Sequence, residues 1–300
     1  MKPFEIGLMI WAAEAEAQIQ TVKNLGLGVA QIGVRYSDIN IPAKRRALAK
    51  LLRNSGLEWV TLFAAFEGEN YTDVATVRDT VGLVPAGVRA QRLEECKKLS
   101  EFGCELEIKN FALHIGCVAE DPNDPAYQPM VRTVRVLADE CRFNGQQFCF
   151  ETGQESAETL LRFMADIKCT NLRVNFDPAN MILYGSGEPI EALGKLAEFV
   201  TTVHCKDGTG PTEFGKLGVE TPLGKGAVGF DRFIAKLKEI GYAGPLVIER
   251  EISGEQQIAD VREGIALLKS LGGVAAAEPA ALAPQPAAEP SAPPAEPTQS

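Results

Sequence analysis

Short apolar runs alternate along this chain with amphipathic stretches of helical period. The strand-like runs are Phe4–Ile10, Gly28–Val34, Leu57–Phe63, Ile108–Ile115, Gln147–Glu151, Leu172–Asp177, Val200–Cys205 and Leu246–Glu249. Between them lie helix-like segments at Glu14–Leu25, Ala43–Ser55, Arg89–Phe102, Tyr127–Phe143, Ala157–Ile167, Ile190–Leu196 and Phe230–Ile240, and Gln257–Leu271 closes the series. The punctuation agrees: Pro42 stands at a helix start, and Gly26, Gly56, Gly103, Gly145, Gly241 and Gly272 stand at or just after helix ends. Eight strands alternating strictly with eight helices over about 270 residues predict an α/β chain folded as a (β/α)8 barrel. A doubly wound open sheet is the alternative, because periodicity alone does not show that a sheet closes.

The pattern stops before the chain does. Residues 274–300 hold seven of the 18 prolines and ten alanines, with three glutamates and no Lys or Arg. Such a segment cannot bury a core, so the sequence predicts a barrel domain over residues 1–273 and a disordered Pro/Ala-rich tail over 274–300. The body keeps 37 acids against 30 bases within a whole-chain net charge of −10. That balance argues against a nucleic-acid surface, which needs clustered Lys and Arg. No apolar run reaches the roughly 18–20 residues of a bilayer span, and the start is a poor secretory signal, so no membrane role and a cytoplasmic location are expected. Seven cysteines without a CxxC pair read as small hydrophobes in a reducing compartment.

In a barrel of this kind the chemistry sits where strands end and βα loops begin. There the fifth strand delivers Glu151, the sixth Asp177 with Asn180 three residues on, the seventh His204 with Lys206 and Asp207 beyond, and the eighth Glu249 and Glu251. A lone Asp or Glu after a strand is usually a helix cap or a solvated charge. Four such groups at the same point of consecutive units are a stronger pattern. Three carboxylates and an imidazole facing one centre repel unless neutralised. A divalent metal resolves that, and an oxygen-rich set with a single nitrogen suits Mn²⁺, Mg²⁺ or Co²⁺.

The motifs Cys-Phe-Glu-Thr, Asn-Phe-Asp-Pro-Ala-Asn-Met, Val-His-Cys-Lys-Asp, Pro-Leu-Gly-Lys-Gly and Val-Ile-Glu-Arg-Glu resemble the sugar phosphate isomerase/epimerase family. This is the xylose isomerase-like TIM barrel group that includes ketose 3-epimerases, hydroxypyruvate isomerase and inosose dehydratase. The resemblance covers residues 4–271. It implies that Glu151, Asp177, His204 and Glu249 bind one divalent ion, often manganese, and that Glu151 and Glu249 act as acid and base on opposite faces of the substrate. The chain departs from the ketose 3-epimerases at Asn180, where they carry a second histidine, and at Gly210, where they carry an arginine.

The resemblance implies a small-molecule carbohydrate substrate and a metal-stabilised cis-enediolate. The leading function is therefore an isomerase or epimerase of a sugar or sugar phosphate. A lyase or dehydratase on keto-sugars, keto-inositols or oxidised glycosides is the second reading, slightly favoured by Asn180 and Gly210. A catalytically silent sugar-binding or assembly subunit is the third. Related barrels pair or tetramerise, so a homo-oligomer stays open. His114, Asn180 and Lys206 are expected to orient substrate. Trp11 and Phe66 are expected as an apolar wall, against packing in the barrel mouth as the plainer alternative for each. Glu67 and Glu69 read as solvated charges. The formal GxGxxG at Gly224–Gly229 does not follow a strand directly, so a dinucleotide site is rejected. The stretch Gly208–Gly218 reads as a mobile lid or a phosphate cradle.

Overall fold

The computed structural model describes residues 3–274, so all of the expected tail beyond Val274 lies outside the described residues. The elements in chain order are β1 (Phe4–Trp11), α1 (Ala15–Asn24), β2 (Val29–Arg35), α2 (Tyr36–Ile39), α3 (Pro42–Arg53), β3 (Glu58–Ala65), α4 (Val74–Thr80) and α5 (Arg89–Glu105). They continue with β4 (Asn110–Leu113), α6 (Tyr127–Phe143), β5 (Gln147–Glu151), α7 (Ala157–Ile167), β6 (Leu172–Phe176), α8 (Pro178–Tyr184), α9 (Pro189–Leu196) and β7 (Val200–Cys205). Last come β8 (Asp207–Thr209), β9 (Val219–Thr221), α10 (Phe230–Glu239), β10 (Leu246–Ile248), α11 (Glu255–Ser270) and β11 (Gly273–Val274).

Strands β1 to β7 and β10 pair in parallel, each with its sequence neighbour. Pairing of Ile6, Gly7 and Leu8 with Leu246, Val247 and Ile248 closes the ring, so the sheet is a barrel and not an open doubly wound sheet. Alternation along each strand divides the core in two. Outward residues such as Ile32, Leu62, Phe111, Phe148, Val174 and Phe176 pack under the helices. Inward residues Met9, Phe63, Ala112, Cys149 and Val247 fill the barrel below the mouth. Four cysteines (Cys96, Cys141, Cys149 and Cys205) are buried as small hydrophobes, whereas Cys104 is exposed and Cys117 and Cys169 are half-buried; all seven are free.

The fourth strand is shorter than its apolar run suggests, because the Ile115 carbonyl leaves the ladder and accepts from the Leu83 N–H at 2.8 Å. The insertion after β7 is an antiparallel hairpin, β8 against β9. It is tied to the excursion after β3 by the Val74 N–H on the Gly215 carbonyl at 3.1 Å. The Gly-rich turn that follows wraps a side chain of this chain. Buried Asp207 accepts the backbone N–H groups of Gly208, Gly224, Gly226 and Val228 at 2.9, 2.9, 3.0 and 3.1 Å. Gly226 must be glycine, since a Cβ there would lie 2.2 Å from the Asp207 carboxylate. The donors of this turn, which lies beyond the Gly208–Gly218 stretch, are therefore already used, so the turn offers no anion cradle.

Asp207→Ala orphans these donors. It is expected to cost about 3 kcal/mol or more, with Asp207→Asn losing less because it keeps an acceptor. Thermal unfolding of both variants checks this; an unchanged Tm for the alanine variant contradicts it.

Candidate metal and substrate site

Glu151 is the last residue of β5, and Asp177, His204 and Glu249 stand at the same level on or just past β6, β7 and β10. One ligand atom from each lies within 4.8 Å of the others. His204 Nδ1 is 3.0 Å from Glu151 Oε1, 3.2 Å from Glu249 Oε2 and 3.6 Å from Asp177 Oδ2. The cluster is buried apart from Glu249, whose side chain keeps 11% exposure toward the mouth. Asp177 serves two purposes at once. Its Oδ1 caps α8 by accepting the Asn180 N–H at 3.0 Å, while its Oδ2 is buried with no hydrogen-bond partner. His204 Nδ1 is also buried and faces these carboxylates alone, with no well-directed hydrogen bond to any of them. Orphaned donor atoms of this kind are costly unless something fills the space between them, and a hard divalent cation fits an oxygen-rich set with one imidazole.

A chain of hydrogen bonds fixes which way the imidazole faces. An ionised Glu151 can only accept, so the Asn175 amide nitrogen donates to its Oε2. The Asn175 carbonyl then accepts from Gln31 Nε2 at 3.2 Å and from the Thr202 hydroxyl at 2.5 Å. That leaves Gln31 Oε1 to accept from His204 Nε2 at 2.8 Å. Nε2 therefore carries a proton, and Nδ1 is the ring nitrogen turned into the cluster, where a proton or a cation can sit between the carboxylates. Sequence reasoning missed Gln31, Asn175 and Thr202. The available signal was a polar residue at an inward position of an otherwise apolar strand.

The charges are strongly coupled. Burial pushes the Glu151 carboxyl up, with His204 opposing it. Burial also opposes ionisation of Glu249, yet the charges of His204 and Lys206 override it and hold this carboxyl below the usual range. Burial works against the His204 proton, but Glu151 and Glu249 outweigh it and raise the imidazole. Lys206 is buried beside them, its Nζ 3.2 Å from Glu249 Oε2 and 2.9 Å from Glu251 Oε1, donating to Asn180 Oδ1 at 3.3 Å. Asn180 in turn reaches Glu151 Oε1 at 3.4 Å. Both residues expected from the sequence thus join the cluster.

His114 stands on the same rim. Its ring lies 5.7 Å from Phe63, and Gln154 Nε2 is 3.3 Å from its Nδ1 and 3.4 Å from the Tyr184 hydroxyl. Burial, then the Lys206 charge, pushes the His114 imidazole down to about 3, so it is a neutral hydrogen-bonding group. Trp11 packs on the interior cluster of the barrel. Phe66 does not reach the site: it belongs to the core under the helices, with the Arg92 guanidinium 4.8 Å above its ring. The inward aromatic of the third strand is Phe63, 6.1 Å from the His204 ring. Glu69 is half-buried and accepts the Phe66 and Gly82 N–H groups at 3.1 and 2.9 Å, so it holds a loop together; Glu67 is exposed and accepts from the Ser37 hydroxyl.

Glu155, in the loop after β5, has both carboxylate oxygens buried without a partner, and burial pushes it up to about 8. With the folded pKa above the ordinary 4.5, its contribution to stability is full below pH 4.5 and is lost as pH rises through 8. Glu155→Gln is expected to raise the Tm at pH 8, by about 2–4 °C per kcal/mol recovered, and to change little at pH 4.5. Equal shifts at both pH values contradict the burial argument.

Three comparisons place this geometry among known proteins. A family model described as the xylose isomerase-like TIM barrel matches residues 19–271. A xylose isomerase domain protein from Planctomyces limnophilus is 37% identical, with a TM-score of 0.83 over 90% of this chain and 97% of that one. A D-psicose 3-epimerase solved in the presence of D-fructose shares the fold at 18% identity, with a TM-score of 0.64 over 90% of this chain and 100% of that one. An uncharacterised protein of Methanocaldococcus jannaschii is 32% identical over 95 residues, and the match spans 31% of this chain and 31% of that curated relative. No helix among the described residues is long and apolar enough to cross a membrane.

Proposed function

This chain belongs to the xylose isomerase-like TIM barrel family, and on that premise we propose that it is a divalent-metal-dependent isomerase or epimerase of a sugar or sugar phosphate. The observation that carries the reading is the cluster of Glu151, Asp177, His204 and Glu249 within 4.8 Å, two of whose facing atoms have no other partner. These four residues would hold the ion, Mn²⁺ first and Mg²⁺ or Co²⁺ as alternatives. When bound, a divalent cation supplies the countercharge that an enediolate requires.

The chain's own groups do the rest. One glutamate of the Glu151/Glu249 pair removes the proton α to the substrate carbonyl, and the other returns a proton to the opposite face, inverting the centre. His114, neutral, offers a hydrogen bond to a substrate hydroxyl, and Asn180 and Lys206 orient the oxygens nearest the glutamates. Trp11 covers the carbon face. A second reading, a lyase on keto-sugars, keto-inositols or oxidised glycosides, is favoured by the buried Lys206 ammonium 3.2 Å from Glu249, a fixed proton donor for a departing β-substituent.

The test is isotope exchange. The Mn²⁺-loaded protein is incubated in D₂O with a panel of ketoses and keto-glycosides. Deuterium at the α carbon without loss of water or aglycone supports the isomerase, elimination products support the lyase, and no exchange with any member overturns both in favour of a silent carbohydrate-binding barrel.

A further inference from the structure

We infer that the substrate carries a terminal anion, a phosphate or a carboxylate, and that Arg35 at the rim of the barrel binds it. The inference deepens the sugar isomerase reading and rests on it.

The placement follows from the alternation of β2. Gln31 points inward and touches His204, and the next inward position is Gly33. A Cβ on Gly33 would lie 2.5 Å from the Trp11 indole, so the indole lies across β2 where that side chain would stand. The next inward position is Arg35, half-buried, with its guanidinium carbon 5.1 Å from the Trp11 ring centroid. Four residues along a strand at about 3.3 Å each, on a barrel tilt of about 36°, put Arg35 about 10–11 Å above the level of Gln31 along the barrel axis. That is about the reach of an extended six-carbon sugar from a carbonyl at the Glu151/Glu249 cluster to a charged group on its last carbon.

What sets Arg35 apart from the other arginines that are not exposed is that no acceptor hydrogen-bonds its guanidinium. Buried Arg92 donates to the Thr80 and Gly82 carbonyls, both at 2.7 Å, and Arg250 pairs with Glu220 and Asp260 at 2.7 and 2.8 Å. Among the described residues no carboxylate or carbonyl accepts a hydrogen bond from the Arg35 guanidinium; it lies over the indole face and attracts the Glu69 carboxylate without pairing with it. The neighbouring acids are occupied elsewhere. Asp38 accepts the backbone N–H of Arg35 at 2.8 Å, Glu67 accepts from Ser37, and Glu69 accepts two backbone N–H groups. The cation–π contact with Trp11 tethers the guanidinium without engaging its N–H groups with an acceptor, which leaves the fork available for two-pronged recognition of a phosphate or carboxylate. The Gly-rich turn beside β7 cannot take that role, because Asp207 fills it.

Three probes with one carbon skeleton test the inference: D-fructose, D-fructose 6-phosphate and D-fructuronate, which differ at the terminal carbon. Their binding to the Mn²⁺-loaded protein is measured by calorimetry. At least one anionic probe is expected to bind about tenfold or more tighter than D-fructose. Arg35→Ala removes that advantage without changing the affinity for D-fructose, and Arg35→Lys keeps part of it, holding the charge without the fork. Preference for the phosphate identifies a sugar phosphate, and preference for the carboxylate a sugar acid. Equal affinities for the three probes, no binding of either anion, or an anionic advantage that survives Arg35→Ala overturns the inference. Melting curves of both variants separate lost recognition from lost folding. Arg35-dependent anion binding without deuterium exchange leaves this inference standing and removes the isomerase; exchange without the anion preference does the reverse.

Discussion

Replacing Glu249 with glutamine will reduce deuterium exchange at the substrate's α carbon by about 10²–10⁴-fold, the usual contribution of a positioned general acid or base. The amide keeps the shape of the side chain and cannot accept a proton. Glu249 is suited to the basic role in two ways. The His204 and Lys206 charges overcome burial and keep it ionised, and it is the ligand-cluster carboxylate with exposure toward the mouth. Because Glu249 also belongs to the proposed metal shell, exchange must be compared at matched metal content. A Glu249→Gln variant that holds Mn²⁺ and exchanges at the wild-type rate ends the two-base scheme.

Adding Mn²⁺ to chelator-treated protein will raise its Tm. A ligand present at 100 times its Kd stabilises by about 2.7 kcal/mol, which for a chain of this size is about 5–10 °C. The gain should shrink on acidification. The carboxylates raise the His204 pKa, so in the absence of a cation a proton competes for the atom that faces Glu151 and Glu249. Metal binding must expel that proton, and the Tm gain at about pH 8 should exceed that at about pH 5.5. Asp177→Ala should abolish the gain. Gln31→Leu, which removes the acceptor that fixes the imidazole, should weaken Mn²⁺ affinity by about 10–100-fold. A Tm indifferent to Mn²⁺ at both pH values removes the metal site.

Much of this was legible in the sequence because barrel strands and their helices are written locally. Gln147–Glu151 and Val200–Cys205 were bounded correctly as strands, and Tyr127–Phe143 and Ala157–Ile167 as helices, each with the period of its element. The four candidate ligands were legible because each ends its strand. The short helices α2, α4 and α8 were not read, since one or two turns carry too little periodicity; α8 also begins directly at Asp177, inside a motif read for chemistry. Phe66 was misplaced by a matter of parity. It lies just past the end of β3 and turns to the helices, while Phe63 points inward. Gln31, Asn175 and Thr202 were missed for another reason. Each shows locally only as a polar residue at an inward position, and their bonds join residues 144 and 27 positions apart on different strands, so no local pattern pairs them.

The last strand decides how the molecule can be handled. In β11, Gly273 and Val274 lie beside Phe4 and Glu5, at the start of β1 and so at the end of the barrel opposite the mouth. A bead or sensor chip coupled just past Val274 would therefore hold the protein by its floor, with the substrate entrance open to the bulk solution. Coupling at Phe214, the fully exposed tip of the β8–β9 hairpin, would instead bring the support to the rim and shade the entrance.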